Sequence, residues 1–322
     1  MDNTINLNEK FCVVVDTENK KFTVADKEMK TVTDLFTIDD RKEHVPIEIN
    51  LVADMTNIMR NEMGELGYKV NIPDEREVMI YYFTICNRIV KTRPRQVHEA
   101  LDIVVPESRK AGYNALKTCF EKGYPIMPYL SKKIKGLKFP DKMLFDWGIH
   151  HFHLGNKIEK DGFVKQHDEI VYAIVNEDDV YFIDVLEHDH WSDKDLLEKV
   201  LSNWPHLLDS FRIEGTPTTD FKSKDIAQLR KANINTILVL SDGHGYMGRG
   251  MGMTAAGTST NATIFANKII HRLRQIEMQI KDKSMPEVSP LFREGDEICF
   301  KEKATGRKYV VFKFQSLKMM IS

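Results

Sequence analysis

Hydrophobic and polar positions follow two different periods along this chain. Near the N-terminus, residues 11–15 and 21–25 are rich in β-branched and aromatic side chains, and turn-prone residues separate them. This pattern predicts a β-hairpin. Residues 26–45 are polar and are predicted to form a connector. Residues 1–44 are therefore predicted as an N-terminal hairpin with its connector.

The apolar positions of residues 45–139 repeat at helical spacing. The pattern predicts helices over about residues 49–66, 74–93, 95–103 and 107–122, because glycine or proline follows each of them. We expect a helical domain with a methionine-rich core. Its basic residues are either solvated helix faces or contacts to a phosphate backbone. These residues are Arg88, Lys91, Arg93, Arg95, Arg109, Lys110, Lys132, Lys133, Lys135 and Lys138.

The hydrophobic pattern of residues 140–282 predicts a mixed α/β domain. The predicted strands are 147–154, 169–175, 180–186 and 234–240, and the predicted helices are 192–204, 220–232 and 261–281. The 169–175 strand is apolar on both faces, which is typical of a central, buried strand. The pattern of residues 283–322 predicts a C-terminal hairpin. The fold class is α+β: a helical N-terminal part followed by a mixed α/β part with a small, mostly antiparallel sheet.

Composition narrows the class of protein. The formal net charge of −2 argues against a general nucleic-acid coat, although it leaves room for a local basic groove. No apolar run approaches the ~20 residues that span a bilayer, and no signal pattern begins the sequence, so we expect a cytoplasmic protein without membrane contact. The cysteines lack CxxC spacing, which favours reduced thiols over a four-cysteine zinc site. They are Cys12, Cys86, Cys119 and Cys299.

Candidate chemistry concentrates between residues 146 and 191, which hold six of the 11 histidines. Alternation along the predicted strand places His151 and His153 on one face, and His150 on the other. A second pair, His188 and His190, follows the 180–186 strand. Imidazole suits proton transfer or metal binding near neutral pH.

These histidines admit three interpretations. In the first, His151 and His153 act as general base and general acid on an RNA phosphodiester without a metal. Arg249, Lys157 or Lys165 then stabilises the charge that develops on the phosphorus centre.

In the second interpretation, the site is a metal-dependent hydrolase. His151, His153, His188 and His190 bind Zn, Mn or Fe, with Asp184 or Asp189 completing the shell, and the metal activates a water molecule. In the third, the histidines have no chemistry, as in a non-enzymatic module that binds nucleic acid or protein.

A glycine-rich loop provides a separate clue. Residues 241–252 (SDGHGYMGRGMG) lie between a predicted strand and a predicted helix, an arrangement that can hold a phosphate with backbone N–H groups. The phosphate-binding prediction covers Gly245, Gly248, Arg249 and Gly250. The spacing matches neither the P-loop nor the GxGxxG pattern, and a flexible connector is the alternative.

The segments DWGIHHFHLG, VYFIDVLEHDHW, NWP and GMTAAGTST resemble those of bacterial and mobile-element proteins with a G-I-H-H-x-H-L-G core. The likeness covers residues 141–280 but brings no activity with it. The order of strands and histidines is also similar to RelE-type endoribonuclease toxins and their EndoU/barnase-like relatives. Those enzymes cleave RNA without a metal, and this likeness implies His151, His153, Lys165 and His188 as catalytic residues.

The leading prediction is a nuclease, more specifically an endoribonuclease, that needs no cofactor. The alternatives are a metal-dependent hydrolase and a non-enzymatic binding module of a mobile element or phage-defence system. The expected partners are RNA or DNA, together with a protein partner or a second copy of the chain.

Overall fold

The computed structural model describes residues 3–6, 11–16, 21–26, 31–37, 49–188, 194–215, 221–282 and 287–321. The helices are α1 Leu51–Glu65, α2 Glu75–Arg88, α3 Lys110–Lys122, α4 Lys142–Trp147, α5 Asp195–Asn203, α6 Ser223–Lys231, α7 Thr260–Asp282 and α8 Leu317–Ile321. The strands are β1 Asn3–Asn6, β2 Phe11–Asp16, β3 Lys21–Asp26, β4 Thr31–Thr37, β5 Gln96–Glu99, β6 Ile149–His153, β7 Ile170–Val175, β8 Asp179–Leu186, β9 Arg212–Ile213, β10 Leu238–Val239, β11 Gly245–Tyr246, β12 Phe292–Glu294, β13 Glu297–Lys301 and β14 Lys308–Lys313. The fold is α+β, with N-terminal helices followed by a mixed α/β region whose sheets are mostly antiparallel.

The chain divides into two compact units. One comprises Met1–Met59 with Lys268–Ser316, and the other comprises Arg60–Asn267 with Leu317–Ser322. The predicted boundary between residues 139 and 140 does not separate these units. The physical reason is β5, which comes from the predicted helical domain but pairs with β8 of the histidine-rich region.

The first unit contains two antiparallel sheets. The predicted hairpin is confirmed as β2 and β3, within a sheet of order β1-β2-β3-β4. The predicted connector was wrong over Thr31–Thr37, because this segment pairs with β3 and so completes the sheet. The predicted C-terminal hairpin is confirmed as β13 and β14, and β12 extends it to three strands.

The second unit is built around the sheet β5-β8-β7-β6, in which only the β5–β8 pair is parallel. The predicted helix over residues 95–103 was wrong. Residues 96–99 instead form β5 against β8, with Gln96 opposite Asp179 and Glu99 opposite Phe182. The ladder that β8 offers outweighs the local helical spacing of so short a segment.

Both faces of this sheet are covered. On one face Phe152 and Phe182 pack edge-on against Phe120 of α3, with ring centres 5.4 and 5.8 Å apart. On the other face a core cluster joins the sheet to α4 and α5, and it includes Ile149 and Tyr172. Alternate side chains of β6 therefore lie on opposite faces of the sheet.

Helix α4 leads directly into β6, so the predicted strand over residues 147–154 is shorter than expected. Asp141 caps the helix, because its Oδ1 accepts the N–H of Leu144 at 3.2 Å. Gly148 ends it in the left-handed conformation, with φ of 67°. Trp147 consequently lies in the helix and not in the strand.

The predicted strand over residues 234–240 was also mostly wrong. Only Leu238–Val239 pairs, in a small sheet of order β10-β11-β9. Ile234 and Ile237 are 50% and 39% exposed, so their side chains lack the cover that a buried strand needs. The helices predicted over residues 220–232 and 261–281 are confirmed as α6 and α7.

The structure bears on two expectations that were drawn from composition, one about membrane contact and one about the cysteines. Among the described helices, none has the length and apolar character that a bilayer crossing requires. Cys86, Cys119 and Cys299 form no disulfide with one another; of these three, Cys299 is buried, while Cys86 and Cys119 are half-buried. The side chain of Cys12 and the predicted helix start at Ser192 lie outside the residues whose side chains are described.

Candidate functional site

Three imidazoles meet at one end of the central sheet. The centres of the His151 and His153 rings are 6.3 Å apart, and the His188 ring lies 6.1 Å from the first and 5.2 Å from the second. The register explains the meeting: His153 pairs with Ile170, and Ile170 pairs with Leu186, two residues before His188. The prediction that His151 and His153 share a face is confirmed.

His153 is the most enclosed member of this three-histidine cluster. The residue is 1% exposed, and neither ring nitrogen makes a hydrogen bond of normal geometry to a described residue, although the His167 backbone lies near enough to act on its pKa in the upward direction. Burial lowers the pKa of His153 to about 3, and the charges of His151 and His188 act in the same direction. The ring is therefore neutral near pH 7 and cannot donate a proton as a general acid. The predicted acid–base pair of His151 and His153 does not fit this geometry.

His151 has a carboxylate beside it that the sequence analysis missed. Its Nδ1 lies 3.7 Å from Oδ2 of Asp141, and both side chains are largely buried. A carboxylate in this position favours the tautomer with hydrogen on Nδ1, which leaves the Nε2 lone pair available. The signal that could have identified Asp141 is its place as the N-cap of the helix preceding the histidine strand.

Not every histidine of the region belongs to the cluster. His150 points to the opposite face of the sheet, where its ring stacks 5.8 Å from that of Phe152. Burial lowers the pKa of His150 to about 4, so it is a neutral core residue. His190 and Asp189 of the predicted metal shell lie outside the described residues.

A pocket of about 430 Å³ opens beside the cluster, and its lining includes His151 and His188. Lys133, Asp141, Lys142 and Tyr172 also line it. Lys165, the cation implied by the endoribonuclease likeness, is exposed and does not belong to the lining. The sequence analysis named Lys133 only as one of many surface lysines.

The two lysines of the pocket differ in what they contact. Nζ of Lys142 donates to the carbonyl of Arg230 at 2.9 Å, and burial lowers its pKa. Lys133 is exposed, and its Nζ lies 5.9 Å from the centre of the Phe139 ring. An anionic group in the pocket would therefore meet Lys133 more readily than Lys142.

Asp184, predicted as a metal ligand, is engaged elsewhere. Its Oδ2 lies 2.6 Å from Nζ of Lys199, and its Oδ1 accepts the N–H of Val185 at 2.9 Å. Moving this carboxylate to the histidines would leave the Lys199 ammonium without its closest anion. The structure therefore does not support Asp184 as part of the site.

The glycine loop packs on α4 and does not reach the cluster. Gly250 N–H donates to the carbonyl of Asp146 at 2.8 Å, and Gly252 N–H donates to that of Phe145 at 2.8 Å. Gly245 lies in β11, and a Cβ on Gly248 would sit 2.1 Å from the Asp146 carbonyl oxygen. The two donations satisfy carbonyls at the end of the helix. The N–H of Gly250 is therefore engaged by α4, which argues against its predicted role in phosphate binding, whereas phosphate binding by Gly245 and Gly248 stays a prediction.

Arg249, also predicted to bind phosphate, lies at the other end of the sheet. It donates to Oδ1 of Asn176 at 3.1 Å, and its guanidinium lies 5.8 Å from the centre of the Phe211 ring. Asn176 follows the last residue of β7, whereas the histidines gather at Ile170, its first residue. The full length of β7 therefore separates Arg249 from the cluster.

The three-histidine cluster has the donor atoms of a metal site in an open arrangement. Within the described ranges, no three His, Cys, Asp or Glu side chains already converge closely enough to hold an ion. Rings that share one tetrahedral ion have centres ~5 Å apart, given metal–nitrogen distances near 2.1 Å. The separation of 5.2 Å meets this value, and those of 6.1 and 6.3 Å exceed it by about 1 Å.

No family model, curated protein or solved structure matches the chain. The chemistry of the site therefore has to be inferred from its own side chains.

Proposed function

We propose that this protein is a metal-dependent hydrolase of phosphate esters, with His151, His153 and His188 as the ligands of one divalent cation. The observation that carries the proposal is the burial of His153 with both ring nitrogens unpartnered among the described residues. A buried polar group without a partner costs on the order of 1–3 kcal/mol. A cation shared with two neighbouring imidazoles would remove that cost at the ring nitrogen that binds it.

The surrounding residues suit this role. The Asp141 carboxylate lies 3.7 Å from Nδ1 of His151 and would orient that ring once the contact closed to hydrogen-bond distance, as carboxylates commonly do for metal-binding imidazoles. Neutral imidazole is the form that binds a metal, and burial keeps His153 neutral. Imidazole ligands favour Zn or Fe over Mg, Ca or Mn. When bound, such an ion supplies an activated water and polarises a phosphoryl oxygen.

The pocket supports an anionic substrate. Lys133 at its edge can pair with a phosphate oxygen, and a volume of about 430 Å³ falls within the usual range for small-ligand sites. Phosphate esters combine such an anion with a bond that a metal-activated water can hydrolyse. Lys133 would hold the phosphate while His151, His153 and His188 remain behind it.

A second candidate is hydrolysis of RNA without a metal, with His151 and His188 as the acid–base pair. The specific observation in its favour is that both rings line the pocket, 6.1 Å apart, with Asp141 beside the first. In this mechanism His153 would be only a core residue.

Metal content and cleavage assays distinguish the two. We expect purified protein to bind zinc or iron stoichiometrically and to hydrolyse bis(p-nitrophenyl) phosphate in an EDTA-sensitive manner. His153→Ala should lose both metal and activity. His271→Ala removes an exposed histidine of α7 and should retain both.

The metal-free candidate predicts a different pattern. RNA cleavage would survive EDTA, would be lost in His151→Ala and His188→Ala, and would persist in His153→Ala. Absence of both metal binding and cleavage in the folded wild-type protein would overturn both candidates and leave a binding module.

A further inference from the structure

A lysine-rich segment precedes α4 and borders the histidine pocket. Residues 131–142 (SKKIKGLKFPDK) contain five lysines and one aspartate. Residues Lys132–Lys135 form a single 3-10 turn, which Ser131 caps. The segment lies in the same compact unit as the histidines, and its residues Lys133 and Phe139 line the histidine pocket.

A buried arginine fixes the shape of this segment. Arg88 is 3% exposed and donates to the carbonyls of Gly136 at 3.0 Å, Leu137 at 3.3 Å and Phe139. Tyr68 adds a hydrogen bond from its hydroxyl to the carbonyl of Ile134 at 2.9 Å. The backbone is therefore held from the core, and its side chains are presented in a fixed arrangement.

The lysines of the segment are not equivalent. Lys132 pairs with Glu159 at 2.9 Å and with Asp161 at 2.7 Å, so its charge is already compensated. Lys133, Lys135 and Lys138 are exposed, and within the described part of the chain none of them forms an ion pair with a carboxylate. Nζ of Lys135 donates to the carbonyl of Asp161 at 3.3 Å. Lys133 and Lys138 are therefore the exposed lysines whose ammonium groups make no hydrogen bond to a described residue, and an anionic partner could reach them.

Each of these exposed lysines lies beside an aromatic ring. Nζ of Lys133 is 5.9 Å from the centre of the Phe139 ring, and Nζ of Lys138 is 5.6 Å from that of Tyr81. Lys133 and Phe139 also line the histidine pocket. One cation–aromatic pair therefore stands at the pocket, and the second is connected to it through the adjacent residues 138 and 139.

We infer that this segment, with Tyr81, binds single-stranded nucleic acid and leads the strand into the histidine pocket. The inference rests on the proposed function and names its substrate class as a polynucleotide. Cations beside aromatic rings are the usual means of holding a strand without sequence preference, because phosphates pair with the cations and bases stack on the rings. A base-paired duplex keeps its bases stacked internally and would not use the rings.

The small net charge of the chain agrees with this assignment. A protein of formal net charge −2 does not attract polyanions over its whole surface. Binding would therefore depend on the local charges of Lys133 and Lys138. Reversing them should have an effect that reversing distant lysines does not have.

Strand binding can be measured without turnover. The probe is a short fluorescein-labelled single-stranded RNA, compared with DNA of the same sequence and with a duplex, followed by fluorescence anisotropy in EDTA. The full-length chain is compared with the Lys133→Glu/Lys138→Glu variant. The control is Lys122→Glu/Lys224→Glu, which reverses two other exposed lysines.

We expect the first variant to weaken single-strand binding about tenfold or more and the control to leave it unchanged. In Lys133→Gln/Lys138→Gln, the slope of log affinity against log salt should fall by about 1.4, for two lost phosphate contacts. Equal losses in variant and control, or no binding by the wild type at low salt, would overturn the inference.

Phe139 tests the stacking contribution separately. Phe139→Leu keeps an apolar side chain against Arg88 but removes the ring, and should weaken single-strand binding about tenfold. Its fold is checked by thermal unfolding. Tighter binding of the duplex than of the single strand, or full affinity in a folded Phe139→Leu variant, would contradict the inference.

Failure of this inference can be told from failure of the proposed function. His153→Ala should lose the metal but bind the strand in EDTA as the wild type does. Strand binding by a wild type that binds no metal would leave this inference standing and reject the metal site. EDTA-sensitive hydrolysis of bis(p-nitrophenyl) phosphate by a wild-type protein that binds no single strand at low salt would retain the metal site and reject the strand-binding segment.

Discussion

Oδ2 of Asp141 lies 3.7 Å from Nδ1 of His151, while Oδ1 of the same carboxylate accepts the N–H of Leu144 at 3.2 Å. One side chain thus begins a helix and faces an imidazole of the pocket. Because the helix fixes the carboxylate, the imidazole has an anion at a defined position. The two roles can be separated by substitution.

Asp141→Asn should weaken metal binding roughly 10- to 100-fold, because the carboxylate behind His151 is lost. The stability should change little, since asparagine caps helices as well as aspartate does. Asp141→Ala should lose a further ~1 kcal/mol of unfolding free energy. Chelator competition and thermal unfolding provide the two measurements.

Asp74 offers the matched control, because its Oδ1 caps α2 by accepting the N–H of Glu77 at 2.7 Å. Asp74→Ala should lose about 1 kcal/mol and leave metal affinity intact. An Asp141→Asn variant with wild-type metal affinity would show that the carboxylate only caps the helix.

The unfolding free energy of the metal-free protein should fall as the pH falls from about 6.5 to about 4. Burial lowers the pKa of His150 to about 4 in the folded state, so the unfolded chain takes up the proton first. The stability from neutral His150 is complete above the unfolded pKa and is lost as the pH approaches the folded one.

His150→Phe should reduce the slope of stability against pH by up to roughly 1.4 kcal/mol per pH unit, the value for one proton. Urea unfolding in EDTA at several pH values measures this slope. The residual slope belongs partly to His153, which shifts in the same direction. His271→Phe, at an exposed position, should leave the slope unchanged; an unchanged slope in His150→Phe as well would contradict the prediction.

Gly250→Ala should destabilise the fold by about 3 kcal/mol or more. Its Cβ would lie 2.2 Å from the carbonyl oxygen of Phe145 and 2.4 Å from that of Leu144, and neither is the end of a flexible side chain. Gly64→Ala in α1 meets no atom within 4 Å and should stabilise by about 0.5–1 kcal/mol. Chemical unfolding compares the two; a stable Gly250→Ala protein would return the loop to a flexible, ligand-binding interpretation.

Arg88→Met should destabilise by about 2–4 kcal/mol, because the carbonyls of Gly136, Leu137 and Phe139 lose their donor. Trypsin should then cut the lysine-rich segment at residues 131–138 faster than in the wild type. Arg76→Met is the control, since Arg76 makes an exposed bond to Asn267 at 2.8 Å and should have little effect. Equal cleavage of all three proteins would show that Arg88 does not hold the segment.

The sequence predicted side-chain positions best where the alternation along one strand determines them. The alternation in β6 correctly placed His151 and His153 together and His150 on the other face, because side-chain direction along a strand is a local property. The approach of His188 to them depends on the β6–β7 and β7–β8 registers. The sequence could suggest this approach only through the order of the strands.

The errors arose where a distant segment decides the structure. Residues 96–99 form a strand because β8 provides a parallel edge, whereas residues 234–237 pair with no strand of the described residues and leave Ile234 and Ile237 exposed. Asp141 and Lys133 reach the pocket through the position of α4 and its preceding segment, which no motif encodes. The glycine loop has the composition of an anion-binding site, but the N–H groups of Gly250 and Gly252 donate to carbonyls of α4.

Helix α4 makes hydrogen bonds to different groups at its two ends. Its first turn carries the Asp141 carboxylate, and the carbonyls of Phe145 and Asp146 at its other end accept N–H groups of Gly252 and Gly250. Six residues of helix span only about 9 Å. The glycine loop and the carboxylate beside His151 therefore contact the same short helix. A substitution in the loop that shifts α4 is expected to shift Asp141, and with it the anion beside the imidazole.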